Sequence, residues 1–205
     1  MNNKYKGGFS MDPYKNKDVS EWQSITEKLI KEHPLSQKEI VEAVLISWDE
    51  IFDTLIGNVL KIGRDIKPSP QILGNYLHEL IPIYFENKYP NKWKKDSTKL
   101  DKDLVCIDND NYSIEIKTSS SKNSIFGNRS YGIQSNKENT KKKEGYYLAI
   151  NFEKCTEEIE KPDIRLIRFG WLSHSDWISQ TSETGQQASL SKDAYDYKLI
   201  ELFKK

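Results

Sequence analysis

A chain of 205 residues with 31 Lys or Arg and 31 Asp or Glu carries no formal net charge. That length suits one core-forming domain, and an aromatic content of 11% excludes a disordered segment. The charge balance also excludes a dominant basic arm or acidic tail, so a polyanionic partner has to be met by a local patch.

The opening stretch, residues 1 to 19, reads as a loosely held leader rich in Lys, Asn and Gly. Ser20 is expected to cap a helix running to about Lys31, which His33-Pro34 ends. Ser36 with Glu39 forms a capping box that opens a second helix, expected to reach about Leu60. Its apolar stripe is Ile40, Val44, Ile51, Leu55 and Val59. Ser69 with Pro70 at the first helical position starts a third helix, with a kink expected at Pro82.

After Pro90 the hydrophobic period changes from 3.6 to 2. Residues 104 to 107 and 112 to 118 read as a hairpin joined by DNDN, and 145 to 152 and 164 to 171 as two further strands. Ser173 to Gln180 is expected to be a short helix, and the final YDYKLIELF is ambiguous between helix and strand. Helices followed by a strand meander point to an α+β or mixed α/β fold. The chain reads as a single domain, 1–205: residues 1–90 mainly helical, 91–205 a sheet with functional loops. Cys106 and Cys155 form no disulfide framework, lack zinc-ligand spacing, and read as small apolar residues in strands. With no signal-peptide or membrane-length apolar run, the expectation is a soluble cytoplasmic protein.

Phosphodiester hydrolysis needs a metal held by carboxylates and a cation beside the attacking water or the phosphate. An acid and a Lys two apart on a strand share one face. Four acid-x-Lys triplets occur, at Asp65, Glu86, Glu115 and Asp196. Only Glu115-Ile116-Lys117 lies in an alternating strand with an acid-led strand just upstream. The second acid is expected to be Asp103, with Asp96 and Asp101 as alternatives. Pairing residue 107 with 112 would turn Asp103 away from Glu115, and a one-residue bulge is expected to correct this. Glu79, on an otherwise apolar helical run, is a candidate supporting acid. An ordinary exposed strand face would carry the same residues.

The arrangement Asp103…Glu115-Ile116-Lys117 resembles the PD-(D/E)XK nuclease superfamily. The string EIKTSSSKNSIFGNRSY, residues 115 to 131, resembles type II restriction endonucleases of the ScaI-like family, as does GQQASLSK at 185 to 192. The resemblance implies a restriction-endonuclease-like core, a mixed central β-sheet flanked by helices, with an N-terminal helical segment. It implies Mg²⁺-dependent cleavage of double-stranded DNA at a short palindromic site, with Mn²⁺ able to substitute. Asp103 and Glu115 would bind metal, Lys117 would orient the water, and Glu79 would assist. The residue before Asp103 is Lys102 rather than Pro, a departure from the pattern.

Charge is unevenly spread: residues 86 to 145 hold 13 basic and 9 acidic groups, with acidic excess on both sides. Lys92, Lys94, Lys95 and Lys141, Lys142 and Lys143 are expected phosphate contacts. The polar segment after the Glu115 strand offers Ser119, Lys122, Asn128, Arg129, Ser130 and Gln134 to DNA, and a second loop offers Gln186 and Gln187. The three His are scattered, and no nucleotide-binding fingerprint is present, so no nucleotide cofactor is expected. A palindrome reader is most simply a homodimer, and the N-terminal helical stripe is a candidate dimer surface or plain core. Two rival readings remain at this point: a structure-specific repair or recombination nuclease, and a non-catalytic DNA-binding module.

Overall fold

The computed structural model describes residues 12–133, 141–182 and 184–205. Helix α1 (Val19–Glu32) is capped by Asp18 and not Ser20: the Ser20 N–H and hydroxyl both donate to the Asp18 carboxylate, and Glu21 returns the bond. Helix α2 (Gln37–Asp53) starts at the expected Ser36–Glu39 capping box. It stops seven residues short of Leu60, because Gly57 and Asn58 both adopt positive φ and fold β1 (Leu55–Ile56) onto β2 (Leu60–Lys61). Ile40, Val44 and Ile51 are buried as the stripe requires, whereas Leu55 and Val59 sit exposed on that hairpin. The part of the stripe that lies in α2 is therefore core.

Helix α3 (Pro70–Lys88) carries Pro at its first position and runs through Pro82. There follow β3 (Trp93–Lys95), β4 (Leu104–Cys106), β5 (Ile114–Ser119), β6 (Phe126–Asn128), β7 (Gly145–Phe152), β8 (Ile164–Leu172), β9 (Trp177–Ser179), β10 (Gln187–Leu190), α4 (Lys192–Tyr197) and β11 (Leu199–Lys204). The expected helix at Ser173–Gln180 is instead a 3₁₀ turn, His174–Asp176, leading into β9. Trp177 buries its ring while Ile178 points outward, an alternation that suits a strand. The ambiguous C-terminus is one helical turn and then a strand. Cys106 is buried in β4, but Cys155 lies in the loop after β7 and not in a strand.

Six strands form the central sheet in the order β11-β8-β7-β5-β4-β3. β5 and β7 run parallel and the other neighbours antiparallel, so the sheet is mixed and not a meander. A parallel pair needs a long crossover, and the polar segment after β5 supplies it. Part of that segment forms β6, which joins β10 and β9 in a separate three-stranded sheet.

The two faces of the central sheet are buried differently. Ile114, Ile116, Leu148, Ile150, Ile167 and Phe169 pack in one core cluster with the apolar faces of α2 and α3. Tyr147, Ala149 and Leu172 on the other face pack with Ile125, Trp177, Ala188 and Leu190 around the small sheet. Period-2 alternation therefore sends Glu115 and Lys117 to the small-sheet side. Among the described residues no helix is long and apolar enough to cross a membrane.

Candidate active site

Residue 104 pairs with 114, which sets Asp103 opposite Glu115 without a bulge. The tight DNDN turn expected is replaced by a 3₁₀ turn, Asp110–Tyr112, and Ser113 Oγ accepts from the Cys106 N–H at 3.0 Å. This longer connection shifts the register by one from the 107–112 pairing and brings the two acids to one place. Asp103 is fixed further by its Oδ2, which accepts the Ile116 N–H at 2.6 Å. Of the alternatives, Asp101 is engaged with the Ser97 and Thr98 N–H groups, while the pKa of Asp96 is raised by burial and then by the nearby Asp103 charge.

Glu115 is 3% exposed, so its strand face is not an ordinary solvated one. Lys117 Nζ donates to Glu115 Oε1 at 2.6 Å, and Lys141 Nζ stands 2.8 Å from Oε2. Tyr131 closes a triangle: its hydroxyl donates to Glu115 Oε1 at 2.6 Å and accepts from Lys117 at 2.9 Å. The Lys117 ammonium also lies 4.5 Å from the centre of the Tyr131 ring. On the opposite side of the acids, His78 Nδ1 is 3.3 Å from Asp103 Oδ1. Gly74, one turn earlier in α3, permits this approach, since a Cβ there would meet Thr118 Oγ1 of β5 at 2.5 Å.

Burial alone would raise both acids. For Asp103 the hydrogen bond and charge of His78, with the Lys117 and Lys141 ammoniums, outweigh it and hold the carboxyl at about 2. Burial of Glu115 is likewise outweighed by Lys117 and Lys141, so its pKa falls despite the Asp103 charge. Burial opposes the charged form of Lys141, but Glu115 and Asp103 keep its pKa raised. Lys102, where the pattern would have Pro, is pulled down to about 8, chiefly by burial. It donates to the Lys142 carbonyl at 3.4 Å and so helps seat the Lys141 segment.

Two ionised carboxylates suit a hard divalent cation. Glu115 Oε2 is a buried oxygen that makes no hydrogen bond, only the charge contact with Lys141. That atom and Asp103 would be the protein's metal ligands. Among the described residues no set of three His, Cys, Asp or Glu converges, so other ligands would come from outside that set, as carbonyl, water or phosphate oxygens. Glu79 is exposed and paired with Lys95, and it is His78, its neighbour, that reaches Asp103.

The small sheet collects residues distant in sequence. Asn128 pairs with Gln187 across β6 and β10, and both are exposed, as are Ser130, Lys122 and Gln186. The Arg129 N–H donates to the Gln186 carbonyl at 2.7 Å, and its guanidinium contacts the Ser182 and Gly185 carbonyls. Ser119 is half-buried with its Oγ accepting from the Ser121 N–H, and Lys142 is exposed beside Asp110 at 3.7 Å. Gln134 lies outside the described residues.

A family described as ScaI restriction endonuclease matches residues 12–203, nearly the whole chain. This chain belongs to the ScaI restriction endonuclease family. The type II restriction enzyme ScaI of Streptomyces caespitosus is 47% identical over 182 residues, which cover 88% of this chain and 80% of that enzyme. No solved structure matches. Family membership makes the chain a site-specific deoxyribonuclease and decides against both the repair nuclease and the non-catalytic module.

Tyr131, His78, Lys102 and the pairing of Lys141 with Glu115 were missed from sequence. Tyr131 stands inside the FGNRSY string that carried the resemblance, which was its one available signal. His78 had none, because its role depends on how α3 crosses β5.

Proposed function

We propose that this restriction endonuclease hydrolyses double-stranded DNA at a short palindromic sequence with Mg²⁺, Mn²⁺ substituting. The observation that carries the reading is the meeting of Asp103 and Glu115, with the Lys117 ammonium 2.6 Å from the latter. A bound divalent ion would lower the pKa of a water and offset charge on the scissile phosphate.

The chain's own residues do the rest. Asp103 and Glu115 stay ionised at neutral pH, as ligands must. Lys117 holds the attacking water or a non-bridging phosphate oxygen and offsets charge that grows in the transition state. Lys141, seated on Glu115 in the free protein, is placed to turn to the incoming phosphate. Asn128 and Gln187 have the donor and acceptor pattern that reads adenine edges, and Lys122 meets the backbone. Arg129 supports the reading loops through its carbonyl contacts. The two-fold symmetry of a palindrome favours a homodimer, each subunit cutting one strand.

Plasmid DNA digested with Mg²⁺ should give discrete fragments that vanish on chelation. Glu115→Gln and Lys117→Ala should each lower cleavage by roughly a hundredfold to a thousandfold or more while keeping Ca²⁺-supported binding. A ladder without discrete bands, or full activity in either variant, would overturn the reading.

A further inference from the structure

The phenol of Tyr131 touches both members of the acid–lysine pair, yet the residue belongs to the turn after the proposed reading strand. That turn, Arg129–Gly132, is held from several sides. The Arg129 N–H donates to Gln186 of the second reading loop at 2.7 Å, and the Arg129 carbonyl accepts from Ser179 Oγ of β9 at 2.7 Å. Lys143 Nζ donates to the Ser130 carbonyl and, at 2.8 Å, to that of Ile133.

The ring itself is set by the small sheet. It packs edge-on to Trp177 of β9 with centroids 5.2 Å apart. Gly127 of β6 leaves it room, since a Cβ there would stand 2.9 Å from Tyr131 Cγ. A displacement of β6 or β10 on a DNA groove therefore moves the phenol, and the phenol bonds simultaneously to Lys117 and Glu115.

We propose that Tyr131 is a positioning residue that makes the aim of Lys117 depend on the seating of the Asn128–Gln187 sheet, and so contributes to sequence discrimination. The proposal rests on the nuclease reading above. Recognition and catalysis share one hydroxyl: when the sheet is seated on the right bases the triangle is aligned, and when it is displaced Lys117 loses its second partner.

The test compares the unaltered enzyme with Tyr131→Phe and Gly127→Ala. Substrates are duplexes that carry the site mapped from a plasmid digest and its single-base-pair variants. For Tyr131→Phe, which keeps the ring, kcat at the mapped site should fall about tenfold while KM and Ca²⁺-supported binding hold. Cleavage of variant sites should fall less, so the ratio between mapped and variant sites narrows. Gly127→Ala, with the hydroxyl intact, should shift kcat and the ratio in the same direction.

An unchanged kcat and ratio in Tyr131→Phe, or an effect confined to KM, overturns the proposal. Full kcat in a folded Gly127→Ala overturns the claim that the sheet sets the ring; if that variant does not fold, Tyr131→Phe decides alone. Failure of the unaltered enzyme to cut any DNA defeats the nuclease reading instead, so the two failures are distinguishable.

Discussion

Glu115 carries a lysine on each carboxylate oxygen, at 2.6 and 2.8 Å, in a setting from which water is largely excluded. Burying such charges costs several kcal/mol per ion unless partners offset it, so a site kept this way is costly to assemble. The two lysines are held differently. Lys117 is fixed by its own strand and by Tyr131, whereas Lys141 comes from the chain leading into β7 and is held through its ion pair with Glu115. Lys141→Ala should therefore slow cleavage by about tenfold while leaving the mapped site unchanged. His78→Ala should do the same by freeing Asp103 Oδ1. Single-turnover rates check both, and wild-type rates in either variant would remove that residue from the site.

Among the elements, the small sheet joins two loops that lie some sixty residues apart in the chain. Its outward positions alternate with buried ones, so Asn128 and Gln187 point away from the core while Gly127 and Ala188 face it. Asn128→Ala or Gln187→Ala should relax preference at one base pair, by about 1–3 kcal/mol if the contact is bidentate. Lys122→Ala should weaken binding to all sequences and reduce the salt slope by about one. Binding titrations at several salt concentrations separate these outcomes; a uniform loss in the Asn128 and Gln187 variants would assign them to the backbone.

The connection from α1 to the sheet carries its own pH dependence. His33 is buried among Trp93, Tyr112, Tyr146 and Phe169, its Nδ1 accepting from the Leu35 N–H while its Nε2 donates to the Tyr112 carbonyl. Burial holds its pKa below the usual 6.5, against the pull of those bonds. As pH falls through that window the unfolded chain takes up a proton that the folded one resists. The stability His33 contributes is thus full above about 6.5 and lost below it. The thermal midpoint should drop between pH 7 and pH 5, by about 2–4 °C per kcal/mol, and drop less in His33→Gln. Equal slopes in the two proteins would count against this assignment.

For the whole molecule, zero net charge conceals a basic middle segment, of which Lys102, Lys117 and Lys141 border the site. Such a protein gains little from long-range steering, so its affinity should depend on matched contacts more than on bulk attraction. With Ile40, Val44 and Ile51 of α2 spent on the core, the exposed apolar groups of residues 1–90 include Ile46 on α2, Leu55, Ile56, Val59 and Leu60 on the β1–β2 hairpin, and Ile72, Tyr76 and Ile83 on α3. Sedimentation of the protein with its mapped duplex should give two subunits per site. One subunit per duplex at saturating concentration would contradict the dimer.

What the amino-acid order determined by itself was local. The Ser36–Glu39 box, the Pro70 start, the existence of strands β5, β7 and β8, and the sharing of one face by Glu115 and Lys117 all follow from patterns within a few residues. The Gly57-Asn58 turn was equally local and was overlooked beneath a helical stripe that continued past it. Tertiary structure decided the rest. The 104–114 register depends on how a 3₁₀ turn closes, and a shift of one residue turns every side chain to the other face. The parallel pairing of β5 with β7, the junction of two reading loops in one sheet, and the convergence of His78, Tyr131 and Lys141 on two acids are long-range. They are fixed by which surfaces the chain can bury together, a property of the folded whole that no local pattern encodes.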